Sequence, residues 1–103
     1  MELDISKIYS FKMNSGEEIV ATIVEKIYDD PFPHLLLEAP LAAAATQQGI
    51  QLYPAMFSND LNGNAMMYMS SIALVSTPRT EMADSYRESV TGIKVPQKKI
   101  ILV

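Results

Sequence analysis

At 103 residues, 49% of them hydrophobic and 19% charged, the chain is sized for one compact domain, which excludes a two-domain enzyme. Twelve acids against eight bases leave a net charge of −4, so a nucleic acid could be held only by a local patch and not by the overall field. Zero cysteines and a single histidine exclude a disulfide framework, a thiolate zinc site and a cysteine nucleophile.

Residues 1–7 lack a basic region followed by an apolar run, so no secretory signal is expected and the start is taken as the mature start. The uncharged stretch 39–59 is broken by Pro40, Gly49 and Pro54, which a lipid-spanning helix would not tolerate. A soluble, intracellular protein without membrane contact is expected.

In residues 8–13, Tyr9, Phe11 and Met13 alternate with Ile8, Ser10 and Lys12, the period of a half-buried strand. Asn14-Ser15-Gly16 suits a tight reversal, because Gly accepts positive φ and Asn tolerates it. Residues 17–28 then give a long strand: Ile19, Ala21, Ile23 and Glu25 fall on one face, Val20, Thr22, Val24 and Lys26 on the other, with the Glu25/Lys26 end solvated. Asp29-Asp30-Pro31-Phe32-Pro33 is a loop, since its two prolines remove ladder donors and restrict the residues before them. Residues 34–46 resume as strand, with a bulge or bend at Pro40 to absorb the missing amide. Helix propensity favours Ala42 to Ala45 as well, but the run is too short to stand as a helix between Pro40 and the Gln47-Gln48-Gly49 turn.

Residues 50–58 predict a fourth strand, the Asn59-Asp60-Leu61-Asn62-Gly63-Asn64 cluster a turn, and residues 65–77 a fifth strand stopped by Pro78. Beyond it, Met82, Tyr86 and Val90 recur every fourth residue, which predicts an amphipathic helix over 80–91, capped by Thr80 and ended by Gly92. The tail Lys98-Lys99-Ile100-Ile101-Leu102-Val103 reads as a strand guarded by lysines, fit to pair with an open edge or a partner. The expected fold is all-β, a small antiparallel barrel or sandwich with a short C-terminal helix.

This order of elements resembles the Sm-like family, a strongly bent five-stranded barrel of SH3 type, and within it the divergent cyanophage-like group. Met13 to Gly16 supplies the turn of the first family motif, Ile19 and Ile23 its alternating core, and Ala21 the place usually held by Gly. Asp30, His34, Leu35 and Leu37 supply its end, although the run from Ala21 to Asp30 needs a small insertion. Against the second motif the chain offers Met67-Tyr68-Met69-Ser70-Ser71-Ile72, keeping the apolar residues and lacking the basic ones. The resemblance implies a barrel over 1–78, with 79–103 packed on the same domain, and leaves room for a short N-terminal helix carrying Leu3, Ile5 and Ile8. It implies a homo-oligomeric ring without a cofactor, cytoplasmic, and in the infected host cell if phage-encoded.

Single-stranded RNA would be held at the pore of such a ring. His34 stands where the family has an Asn facing the pore, Phe32 and Tyr28 are candidate stacking surfaces, and Asp30, Tyr68 and Ser70 complete the implied site. Each also has a plainer reading: a loop imidazole without a task, and aromatics that belong to a core or a subunit interface. Asp29 and Asp30 lack a second acidic cluster for metal or acid–base work, and Ser70-Ser71 lacks a nucleophile elbow, so no enzyme is expected. Lys94, Lys98 and Lys99 are the only basic cluster, and Met56, Met66, Met67 and Met69 suit adaptable packing at an interface. Two functions stay open: an RNA-binding or RNA-chaperone ring with a degenerate site, and a structural or assembly ring of phage origin that binds no RNA.

Overall fold

The computed structural model describes residues 2–56, 58 and 63–91; the expected Gly92 cap and tail strand lie outside them. Among the described residues, six strands are followed by one helix: β1 (Ile8–Met13), β2 (Glu18–Ile27), β3 (His34–Thr46), β4 (Gly49–Pro54), β5 (Asn64–Tyr68), β6 (Ile72–Ser76) and α1 (Thr80–Thr91). All pairings are antiparallel. The strand order is β4-β3-β2-β1-β6, with β5 also on β3.

Both short hairpins turn through a glycine. Gly16 has φ 103° and donates its N–H to the Met13 carbonyl at 2.9 Å, and Gly49 has φ 106° at the end of the Gln47-Gln48 turn. Asn14, Ser15, Gln47 and Gln48 all keep negative φ, so these are not the primed two-residue turns; the positive φ falls on the glycine that completes each. The tolerance of Asn for positive φ goes unused; the Asn14 side chain instead donates to the Ser70 carbonyl at 2.7 Å.

The bend expected at Pro40 is present. Val20 pairs with Leu41 and Thr22 with Glu38, so Ala39 and Pro40 together oppose Ala21 alone. Ala39 takes the bulge conformation with φ 48° while fully buried, a left-handed geometry that a residue with a Cβ adopts at a cost. Its amide leaves the ladder to reach the Gly63 carbonyl, and the Pro40 carbonyl accepts from Ala55. Beyond the bulge, Ala42 to Ala45 continue as strand against β4, as length and flanking residues predict over propensity.

Four expectations change. The fourth strand ends at Pro54, short of residue 58. The fifth expected strand is two strands, because Met69–Ser71 form a 3₁₀ turn between β5 and β6. Three hydrogen bonds hold that turn: Met69 N–H to the Pro33 carbonyl, Asn14 N–H to the Ser71 carbonyl, and the Asn14 side chain to Ser70. They redirect the chain from the edge of β3 to the edge of β1. No ladder joins β5 to β6 among the described residues, so the sheet is open and not strongly curled, unlike the closed barrel implied by the family resemblance. No helix precedes β1 either: residues 2–7 are irregular, and Leu3 is buried in the core.

Strand alternation puts apolar residues on both faces of β2. Ile19, Ala21 and Ile23 join Tyr9, Phe11, Leu35, Leu37 and Met67 in the larger cluster. Val20 faces the other way, with Ala39, Leu41, Leu52 and Tyr86 of α1. The helix thus covers the second face, burying Ala83, Tyr86 and Ser89, with Met82 and Val90 packed alongside. Thr80 is the first helical residue, and the Arg79 carbonyl takes the first turn's hydrogen bond from Ala83 N–H. The Tyr86 hydroxyl donates to the Glu38 carbonyl at 2.8 Å beside Thr22 Oγ1 at 3.2 Å, which pins α1 across β2 and β3 next to the Ala39 bulge.

Candidate functional site

The loop before β3 and the 3₁₀ turn after β5 meet at one end of the sheet, joined by the Met69–Pro33 hydrogen bond. Asp30 Oδ1 accepts the Phe32 N–H at 2.9 Å, a local turn that fixes the loop without regular structure. Phe32 is held outward, 71% exposed. The carbonyl of Phe32 accepts from His34 Nδ1 at 2.9 Å. Because a carbonyl only accepts, the proton of this bond is on Nδ1.

His34 is opposite Tyr68 in the β3–β5 ladder, and their rings meet edge to face at 6.0 Å and 69°. Such a tilted pair orients both rings with a gain of about 0.5–1.5 kcal/mol. Tyr68 and Tyr28 are each about half exposed. The structure therefore brings Phe32, His34 and Tyr68 to one rim, with Asp30 supporting the loop through its carboxylate. Ser70 sits on the adjoining turn, exposed, its carbonyl occupied by Asn14.

Sequence reasoning left out two members of this end. Lys26, expected to be solvated, donates to the Leu3 carbonyl at 2.6 Å, lies 3.8 Å from Glu2, and stands 5.9 Å from the centre of the Tyr28 ring. Its place two residues before Tyr28 on one strand face was the available signal. Asn14 ties the far hairpin to the turn after β5, a contact that no local pattern encodes. Among the described residues no group of three or more His, Asp or Glu could hold a metal ion.

The methionines divide. Met67 is buried in the core, Met69 packs partly against it, and Met66 and Met56 are about half exposed. Met13, Met56, Met66 and Met67 line a groove that β5 shares with Glu17 and Ile19 of the β1–β2 hairpin. Across the sheet, Leu74 of β6 is 68% exposed, whereas Val75 is partly buried opposite Phe11. Alternation along β6 decides this: Val75 points to the core and Leu74 away from it.

No family model matches the chain, and no curated protein matches it. No helix among the described residues is long and apolar enough to cross a membrane.

Proposed function

We propose that this chain is a ring-forming module of Sm-like kind, whose copies join head to tail through strand edges and present the Phe32, His34 and Tyr68 rim to single-stranded RNA. The observation that carries the assembly half is the pair of unpaired edges. β5 pairs only with β3 and β6 only with β1 among the described residues, and neither strand carries a charged residue to discourage pairing. Two different edges on one subunit make a heterologous contact, which either closes into a ring or grows without end. Exposed Leu74 on one edge and the methionine-lined groove beside the other supply apolar surface for that contact.

The RNA half is supported by three aromatic or heteroaromatic rings on one rim, flat surfaces suited to unstacked bases. Lys26 is the cation nearest them in chain order, and it is engaged with Leu3 and Glu2. That observation favours a second reading, an assembly ring that binds no RNA, since most nucleic-acid affinity comes from phosphate contacts.

Light scattering coupled to size exclusion tests the assembly. A single mass of several copies is expected, and a monomer at tens of micromolar, about the concentration at which functional rings persist, would remove the reading. Fluorescence polarization with oligo-U and oligo-A at low and moderate salt tests the RNA half. Weak, salt-sensitive binding that is lost in His34→Ala is expected, and binding unchanged by that substitution would refute the site. Assembly without any RNA binding selects the second reading.

A further inference from the structure

Strand register gathers a second group of apolar side chains outside the core. Glu25 of β2 stands opposite Leu36 of β3, and Leu36 opposite Met66 of β5; the next row outward is Ile27, His34 and Tyr68. Directly opposed residues share a face. It is the face on which α1 lies, because the row on the inner side pairs Thr22 with Glu38, where the Tyr86 hydroxyl is bonded. Ile27, Leu36, Met66 and Tyr68 belong to neither core cluster among the described residues. Met66 is 53% and Tyr68 48% exposed, and Ile27 and Leu36 are half-buried.

The charges around them have one sign. Glu25 and Glu38 are exposed, and neither makes an ion pair among the described residues, where Lys7, Lys12, Lys26 and Arg87 are each engaged with other carboxylates. No lysine or arginine stands in the three rows.

We propose that this face docks a basic amphipathic helix of a partner protein, its apolar side on Ile27, Leu36, Met66 and Tyr68 and its lysines or arginines toward Glu25 and Glu38. A contiguous apolar surface with a charged border marks a protein contact, and three adjacent strands make a strip about 10 Å wide, the width of one helix. An extended segment does not suit a sheet face, because the main-chain groups of the sheet are already paired and those of the segment would be buried without partners. A helix satisfies its own. Charge decides among the remaining occupants. A second copy laid face to face would bring four carboxylates into one interface without a cation, and RNA phosphates would meet the same carboxylates. The proposal uses neither the β5 nor the β6 edge, so it does not depend on ring formation.

Fluorescence polarization with a labelled leucine–lysine peptide of about 14 residues in helical period tests this on the full chain, with the leucine–glutamate peptide of the same pattern as its counterpart. The lysine peptide should bind and the glutamate peptide should not. Glu25→Lys/Glu38→Lys should weaken binding about tenfold. Glu18→Lys/Glu81→Lys makes the same change in net charge beside Leu74 and Ile50 instead, and should weaken it by less than about twofold. Circular dichroism confirms that both variants are folded. Oxidation of Met66 by hydrogen peroxide, followed by mass spectrometry, gives a second reading on the parent chain: rapid in the free protein and slowed several-fold by the bound lysine peptide. No binding of the lysine peptide, equal binding of both peptides, or equal losses in the two double variants would each overturn the proposal. So would a Met66 already protected in the free chain, or one protected by oligo-U or by raised protein concentration in place of the peptide.

Discussion

Removing one oxygen from Tyr86 tests the account of how α1 is held. Its ring is 2% exposed, and its hydroxyl joins the helix to both β2 and β3 through Thr22 and the Glu38 carbonyl. Tyr86→Phe keeps the ring and the packing against Val20, Leu41 and Leu52, so no cavity term enters. What is lost is a hydrogen bond to a part-buried carbonyl and a contact with Thr22, together about 1–2 kcal/mol. For a domain of this size that lowers the melting temperature by roughly 4–16 °C. Thermal and urea denaturation followed by circular dichroism measure it. The added variants Thr22→Val and Thr22→Val/Tyr86→Phe close a double-mutant cycle that separates the Thr22 contact from the carbonyl bond.

The same hydroxyl makes a pH prediction. Burial raises the Tyr86 phenol above its ordinary value of 10.0; the Thr22 hydrogen bonds oppose this, and the Glu38 charge adds to it. A folded pKa above the unfolded one means that the unfolded chain gives up its proton first. The neutral phenol's contribution is therefore complete below pH 10 and is lost as pH rises from there through the higher folded value. The stability gap between parent and Tyr86→Phe should stay level up to about pH 9 and shrink above pH 10, where the other tyrosines cancel in the comparison. A gap below 0.5 kcal/mol at neutral pH, or one that widens with alkali, would refute the reasoning.

Phe11→Ala empties a fully buried position in the larger cluster and should cost about 3–5 kcal/mol in urea denaturation. Gly49→Ala meets no atom within 4 Å but inherits φ 106°, so a loss of about 1–2 kcal/mol, conformational in origin, is expected from thermal melts. Leu74→Lys changes an exposed side chain and should leave the circular dichroism spectrum intact while reducing the light-scattering mass to that of one copy.

Much of the fold is local in origin and was legible for that reason. Alternation in β1 and β2, the glycine turns, the bulge at Pro40 and the four-residue spacing of Met82, Tyr86 and Val90 are all patterns within a dozen residues. The break between β5 and β6 is different, because residues 65–77 are uniformly strand-like and the turn at Met69–Ser71 is imposed by Pro33 and Asn14, far away in sequence. The open sheet follows from that break and was equally hidden. At the rim, the proline-rich loop identified Phe32 and His34 as displayed residues, but the facing of His34 and Tyr68 depends on β3–β5 register, and register is a property of two strands.

The position of β6 has a consequence for the order of events in the cell. β1, β2, β3 and β4 follow one another along the sheet as neighbouring hairpins, so each can form soon after its residues are available. β6 alone returns to β1, bringing Ser76 beside Ser10, and long-range closures of this kind are slow. Until β6 has docked, β1 offers a vacant edge to any passing strand. The edge proposed to recruit the next subunit is thus the last part of the sheet to be placed, and a half-folded chain lacks one of the two surfaces needed to extend the proposed assembly.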